Sequence, residues 1–304
     1  MNKNLLLLCS ALMLVSMSSC NNDDDGNGVQ IVPPRDRAEQ APESENLILE
    51  YLDTHFYNYE EFETPPADFD YQIKFDTIAG ENSDKIPLAN QVTAENVTFE
   101  GQQYTLRTLQ VRRGAEEMPA TTFADSTLMT FRGQVPYGSI FDSNATPFWI
   151  VQAGTIFGFA NGVAGFKGAS TQMTNPDGTV SFSDDFGIGA VFIPSGLGYY
   201  AGPPPGGLID QYDSLIFTFQ LYKVRPDTDN DQDGIPNVME DVNENSFVLD
   251  DNTDGDNAPN YRDGDDDNDG TPTREEIIIN EDGTITFPDA DNDGTPDYLD
   301  PDTL

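Results

Sequence analysis

Cysteine is nearly absent from this chain of 304 residues: Cys9 and Cys20 are the two, both close to the N-terminus. The rest of the chain therefore has no disulfide framework, and packing or metal must hold it together. Histidine occurs once, at His55, with no second ligand or nucleophile beside it. Basic residues are scarce as well, 14 Lys and Arg against 54 Asp and Glu, for a formal charge of −40. That balance argues against nucleic acid as a partner and in favour of cations. No phosphate-binding glycine motif is present, so no nucleotide drives the chemistry. The longest apolar run, Leu5 to Val15, is too short to cross a bilayer.

What is there begins with a secretory pattern. Residues 1–20 place Lys3 before that apolar run and end in Ser18-Ser19-Cys20, which resembles a bacterial lipobox. The resemblance implies lipidation at Cys20 and attachment to a membrane; simple secretion with cleavage near Ser19 is the alternative. Asn21-Asn22-Asp23-Asp24-Asp25 resembles an acidic export tag of surface lipoproteins, or is the start of a solvated linker. Residues 21–44, with Pro33, Pro34 and Pro42 and no hydrophobic period, read as a tether.

Order is expected from Ser44, a candidate N-cap, because Leu47, Ile48, Tyr51, Leu52 and Phe56 share one helical face. Residues 45–102 form an N-terminal extension in which Asp70 to Phe75 alternates like a strand, and the remainder reads as a long punctuated loop. Tyr104 to Val111 reads as the first strand of a β-rich domain over 103–226, with Tyr104, Leu106 and Leu109 inward, followed by Asp125 to Phe131. Leu215-Ile-Phe-Thr-Phe219-Gln-Leu221 closes it, pointing Leu215, Phe217, Phe219 and Leu221 to one face.

Within that domain Thr130-Phe-Arg-Gly133, Gly138 with Phe141-Asp142-Ser143, Pro147-Phe148, Ile156-x-Gly158-Phe159-x-x-Gly162, Ile193-Pro194 with Leu197-Gly-Tyr199, and Leu215-Ile-Phe217 stand in order. In sequence and spacing they resemble the FKBP family of peptidyl-prolyl cis-trans isomerases. The resemblance implies an α+β fold, an antiparallel sheet of about five strands wrapped around one short helix, here Phe159 to Gly165. It also implies a proline-binding pocket walled by Phe131, Phe141, Phe148, Ile156, Phe159, Leu208, Ile209 and Phe217. Asp142 falls at the pocket carboxylate, Tyr199 at the ligand-binding phenol, and the Ile156 N–H at a second carbonyl donor.

The chain departs from that family at several places, among them Phe159 where many members have tryptophan and the loop rebuilt by Pro203-Pro204-Pro205-Gly-Gly207. Phe131 stands for the usual tyrosine, Tyr200 for the usual glycine after Tyr199, and Ser170 to Asp185 is extra. Asn175-Pro-Asp-Gly178 in the extra stretch is a turn signal and reads as an added hairpin. Trp149, next to Phe148, alternates to the other face of its strand and is expected outside the pocket.

Residues 227–304 hold 26 of the 54 acids against Arg262 and Arg274. They are a repeat rather than a random run. Asp229, Asp231 and Asp233 precede Gly234 and are closed by Glu240; Asp265, Asp267 and Asp269 precede Gly270 and are closed by Glu276; Asp289, Asp291 and Asp293 precede Gly294 and are closed by Asp300. A further copy has Asn252, Asp254, Asp256 and Asp263, with Asn257 at the glycine place, where Asn tolerates a left-handed turn. Oxygen ligands at alternate places, with the carbonyls of Ile235, Ala258, Thr271 and Thr295, suit calcium rather than zinc. Proline at 236, 259, 272 and 296 and the lack of flanking helices distinguish them from EF-hands; they resemble thrombospondin type 3 calcium repeats.

The expectation is a lipid-anchored envelope protein of the outer membrane that isomerises Xaa-Pro bonds of exported polypeptides and carries a structural calcium-ordered tail, with no cofactor in catalysis. Two alternatives stand beside it: a non-catalytic proline-binding adhesion or scaffold protein, and a calcium-stiffened spacer with an inert head.

Overall fold

The computed structural model describes residues 33–303. The leader, the lipobox with Cys20 and the start of the tether lie outside the described residues. Helix α1 runs Arg37–Thr54, earlier than the Ser44 start expected. Its N-cap is Asp36, whose carboxylate accepts the Ala38 N–H at 2.7 Å. Pro42 sits inside the helix, where it removes one donor near the N-terminal end. Ser44 is not a cap; it is buried and shares a 2.7 Å hydrogen bond with Ser195. Phe56 has left the helix, for His55–Tyr57 is a short strand, β1.

After α2 (Tyr59–Glu63) the chain returns as β2, Phe75–Thr77, antiparallel to β1. The strand expected over residues 70–75 is thus confined to its last residue and continues beyond it. The stretch read as loop also contains β3, Val92–Phe99, which makes a hairpin with β4, Gln102–Arg112. Glu100 and Gly101 both have positive φ, 46° and 75°, the geometry of a tight two-residue hairpin turn. β5 (Ser126–Gln134), β6 (Ile140–Val151), α3 (Phe157–Val163), the hairpin β7 (Gln172–Thr174) and β8 (Val180–Phe182), β9 (Gly187–Ile193) and β10 (Leu215–Arg225) follow. The added hairpin is where the turn signal put it, with Gly178 at φ 85°.

The main sheet has six strands in the order β3-β4-β9-β10-β5-β6, every pair antiparallel. One strand more than expected is present because β3 extends the edge. β9 is buried along its whole length, since helices cover both faces of the sheet. On one face Leu215, Phe217, Phe219 and Leu221 pack with Phe157, Phe159 and Val163 of α3. On the other, Ile216, Phe192 and Ile188 pack with Ile48, Tyr51 and Leu52 of α1. Burial of each of these large side chains contributes about 1.5–3 kcal/mol.

Two glycines set how closely α3 lies on the sheet. A Cβ on Gly158 would collide with Ile193, and one on Gly162 with Val191. The helix starts at Phe157, so it is two residues earlier than the span expected from Phe159.

Residues 227–303 lie against the sheet domain rather than standing off as a stalk. The Ser126 N–H donates to Thr228 Oγ1 at 2.8 Å, and the Asn237 amide donates to the Ala124 carbonyl at 3.1 Å. Val248 and Tyr261 pack with Ala124 and Ala153. A second small core, Ile235, Ile277 and Tyr298, belongs to the tail itself. Among the described residues no helix is long and apolar enough to cross a membrane.

Candidate functional site

A cavity of about 760 Å³ opens between α3, the concave face of the sheet and the 198–209 loop. All ten residues expected at a proline pocket line it: Phe131, Phe141, Asp142, Phe148, Ile156, Phe159, Tyr199, Leu208, Ile209 and Phe217. Phe217 is at the centre, with ring centroids of Phe159, Phe141 and Phe131 at 4.9, 5.4 and 6.1 Å. β6 is an edge strand and bulges around Pro147: Phe148 pairs with Met129 while Asn144 already pairs with Phe131. Phe148 lines the cavity, and a second register shift, between Gly133 and Gln134, leaves Phe141 as the extra residue that also reaches it. Gly133 makes room for it, since a Cβ there would lie 2.5 Å from the Phe141 ring and 2.8 Å from Phe217.

The polar groups are few. Asp142 is exposed and lines the same cavity as Tyr199, whose phenol is held above its usual pKa by burial and by the charge of Asp142. The Ile156 N–H, at the start of α3, has no acceptor among the described residues, whereas its carbonyl accepts from Phe159 and Ala160. Apolar walls with Asp142, the Tyr199 phenol and the free Ile156 N–H, joined on the same cavity by Arg37, Glu100 and Tyr200, are suited to an apolar chain with carbonyls to satisfy. Trp149 lies outside the cavity, with Arg225 4.8 Å above its ring.

Tyr200 stands in the left-handed region at φ 51°, a conformation that glycine would adopt more easily. Its side chain explains the choice: the hydroxyl donates to the Arg35 carbonyl at 2.6 Å, and the Arg37 guanidinium sits 4.3 Å above its ring. Arg37 also pairs with Glu100 at 2.5 Å. The N-terminal helix is thereby fixed at the cavity mouth.

Five further lining residues lie outside the 103–226 span that the sequence singled out. Arg37 comes from the stretch read as a tether, Phe99 and Glu100 from the extension, and Phe247 and Leu249 from the acidic tail. Phe247 meets Phe99 at 5.1 Å and Phe157 at 6.0 Å, both centroid distances. The available signal was Ser246-Phe-Val-Leu249, an apolar interruption among acids. His55 takes no part: it stacks on Tyr51 at 3.9 Å, bonds the Tyr51 carbonyl through Nδ1, and has its pKa lowered by burial.

In the tail the four sequence copies are also four copies of one backbone turn. The N–H of Asn237, Asn260, Thr273 and Asp297 donates to the carbonyl of Thr228, Asp251, Gly264 and Pro288, nine residues back in each copy. The side chains of the same four residues accept the N–H of Asn230, Thr253, Asp266 and Ala290. Gly234, Gly270 and Gly294 have φ near 100°. Asn257 differs from the left-handed turn expected of it: Gly255 is the left-handed residue of that copy, at φ 74°.

These turns gather acids. Carboxylate oxygens of Asp229, Asp231 and Asp233 lie within 4.8 Å of one another, as do those of Asp254, Asp256 and Asp263, of Asp265, Asp267 and Asp269, and of Asp289, Asp291 and Asp293. Glu276 approaches its own triad, and burial with the charges of Asp267, Asp269 and Asp265 pushes its pKa up to about 7. Asp300 joins no such group among the described residues; it accepts the Asp302 N–H and the Thr303 hydroxyl. Asn252 is turned to the Gly255 N–H. In the first and third copies buried oxygens of Asp231, Asp233, Glu240, Asp265, Asp267, Asp269 and Glu276 have no hydrogen-bond partner. Such oxygen-only sets fit a hard divalent cation. The carbonyls of Ile235, Ala258, Thr271 and Thr295 accept no loop hydrogen bond among the described residues, which leaves them free as further oxygens.

Comparison with known proteins gives three results. Residues 230–288 match the family described as BamM C-terminal. No curated protein matches the chain. Among solved structures the chain is similar to a peptidyl-prolyl cis-trans isomerase from Pseudomonas syringae, with 14% identity over 64% of this chain and 98% of that one, at a TM-score of 0.36. It is similar also to FkpA from Escherichia coli, with 20% identity over 62% of each chain and a TM-score of 0.35. The three FKBP domains of wheat FKBP73 give 13% identity over 44% of this chain and 51% of theirs, at 0.32.

Proposed function

We propose that the chain is an FKBP-type peptidyl-prolyl cis-trans isomerase that acts on exported polypeptides. The observation that carries the reading is the convergence of eight apolar side chains, Asp142 and Tyr199 on one cavity from five separate stretches of sequence. Rotation about an Xaa-Pro bond has a barrier near 18–20 kcal/mol because amide resonance is lost on the way. The planar amide is more polar than the twisted one. Moving it from water into walls of Phe131, Phe148, Phe159 and Phe217 raises the planar state relative to the twisted one. The Ile156 N–H and the Tyr199 hydroxyl hold carbonyls of the bound chain, and no covalent step is needed.

A second reading is a proline-binding clamp without turnover. It is favoured by the widened mouth, where Arg37, Phe99, Glu100 and Phe247 add wall beyond the central pocket. Acceleration of cis-to-trans isomerisation in a proline peptide by the full chain supports the isomerase. Saturable binding of the same peptide without acceleration selects the clamp.

The tail is read as calcium-ordered, from its oxygen-only acid groups. The location is read as the cell envelope at the outer membrane, with lipid on Cys20. The lipobox-like Ser18-Ser19-Cys20 supports attachment, and the match of residues 230–288 to the BamM C-terminal family accords with an outer-membrane assembly setting. Mass spectrometry of the purified protein tests the anchor through a diacyl or triacyl mass on Cys20.

A further inference from the structure

The acid groups within single loops leave one buried residue unexplained. Asp266 is at the second place of the third repeat, between the ligand places Asp265 and Asp267, where the other copies have Asn230, Thr253 and Ala290. Its side chain turns away from its own loop toward the first repeat. There one oxygen each of Asp233, Glu240 and Asp266 lies within 4.8 Å of the others. The three residues are 3%, 0% and 1% exposed.

Asp233 Oδ2, both oxygens of Glu240 and both of Asp266 are buried without a hydrogen-bond donor. Among the described residues no Lys, Arg or His makes an ion pair with any of them. Arg274 is near enough to Asp233 to favour its charge, but it does not reach the carboxylate. Three carboxylates packed together out of water repel strongly and each carries a large desolvation cost. A single water can donate two hydrogen bonds but cannot neutralise three charges. Five free oxygens with no nitrogen or sulfur among them match what a hard divalent cation requires.

We infer that Asp233, Glu240 and Asp266 form a site for a divalent cation of the calcium class that ties the first acidic repeat to the third. This goes beyond the proposed loop sites and rests on the cation-binding reading of the tail. Asp233 and Glu240 belong to both sets; Asp233 Oδ1 accepts the Ile235 N–H at 2.7 Å while its Oδ2 is buried without a donor. The consequence lies between the ligands. Glu240 and Asp266 flank residues 241–265, and that segment carries Phe247 and Leu249 to the mouth of the proposed proline cavity. A cation there closes the base of the segment and holds one wall of the pocket in place.

The test is a calcium titration of the full chain and of Asp266→Asn, followed by calorimetry and by thermal unfolding in calcium and in EDTA. Glu281→Gln, an exposed acid outside the ligand sets, controls for the loss of one charge. Asp266→Asn is expected to lower calcium affinity at the tightest site at least tenfold and to shrink the calcium-dependent rise in Tm. In EDTA the same variant is expected to melt higher than the wild type, because it removes a buried repulsion. Proteolysis within residues 241–265 in calcium should be faster in Asp266→Asn. An Asp266→Asn protein with the wild-type calcium response overturns the shared site while leaving the loop sites standing. A wild-type protein that does not respond to calcium at all overturns both.

Discussion

Phe247 of the acidic segment meets Phe99 of β3 nearly edge-on, with ring centroids 5.1 Å apart and planes at 87°. The edge strand of the sheet and the acidic segment that follows the sheet domain in sequence thus meet at the cavity mouth. Edge-to-face pairs of this kind contribute about 0.5–1.5 kcal/mol beyond the area they bury. The pair makes the tail part of the cavity wall.

Removal of that wall should weaken binding without unfolding the domain. Phe247→Ala together with Leu249→Ala is expected to lower affinity for a proline peptide with apolar flanking residues by about 5- to 30-fold, a loss of roughly 1–2 kcal/mol. A peptide reduced to the Xaa-Pro core should bind the variant and the wild type alike. Calorimetric titration with the two peptides checks both.

The approach of α3 to the sheet gives a stability prediction. Gly162→Val would force a branched side chain into Val191. We expect destabilisation of about 1–3 kcal/mol, the usual cost of overpacking, seen as a lower midpoint in urea with little change in slope.

The extent to which these features were legible in the sequence differs by element. β10 was readable because Leu215, Phe217, Phe219 and Leu221 alternate with period two, and the ten pocket positions were readable through their family spacing. The start of α1 was not, because Pro42 and the polar residues 36–43 look like a tether. Asp36 caps locally, two residues from Ala38, but the Arg37 contacts with Glu100 and Tyr200 that hold the helix are made at long range, and no local pattern encodes them. β3 was hidden for a related reason: as an edge strand with mostly exposed side chains it lacks a hydrophobic period. Asp266 was invisible because its partners are in another repeat.

His55 gives a pH prediction. Burial lowers its pKa, so the folded protein favours the neutral ring more than the unfolded chain does. The stability tied to the neutral ring is complete above the unfolded pKa near 6.5 and is lost as pH falls below it. Relative to His55→Gln, the wild type should therefore lose Tm between pH 7.5 and pH 5. A difference in Tm that stays constant over that range would contradict the assignment of a buried neutral imidazole.

The most direct measurement is the rate of cis-to-trans isomerisation of a proline peptide with the full chain, beside Asp142→Ala and Phe141→Ala. Both residues line the cavity without being fully buried, so both variants should keep the wild-type circular dichroism spectrum. The account predicts acceleration by the wild type and a fall of at least about tenfold in each variant, equal to about 1.4 kcal/mol in the barrier. No acceleration by the folded full chain in calcium would contradict the isomerase claim and leave the proline clamp.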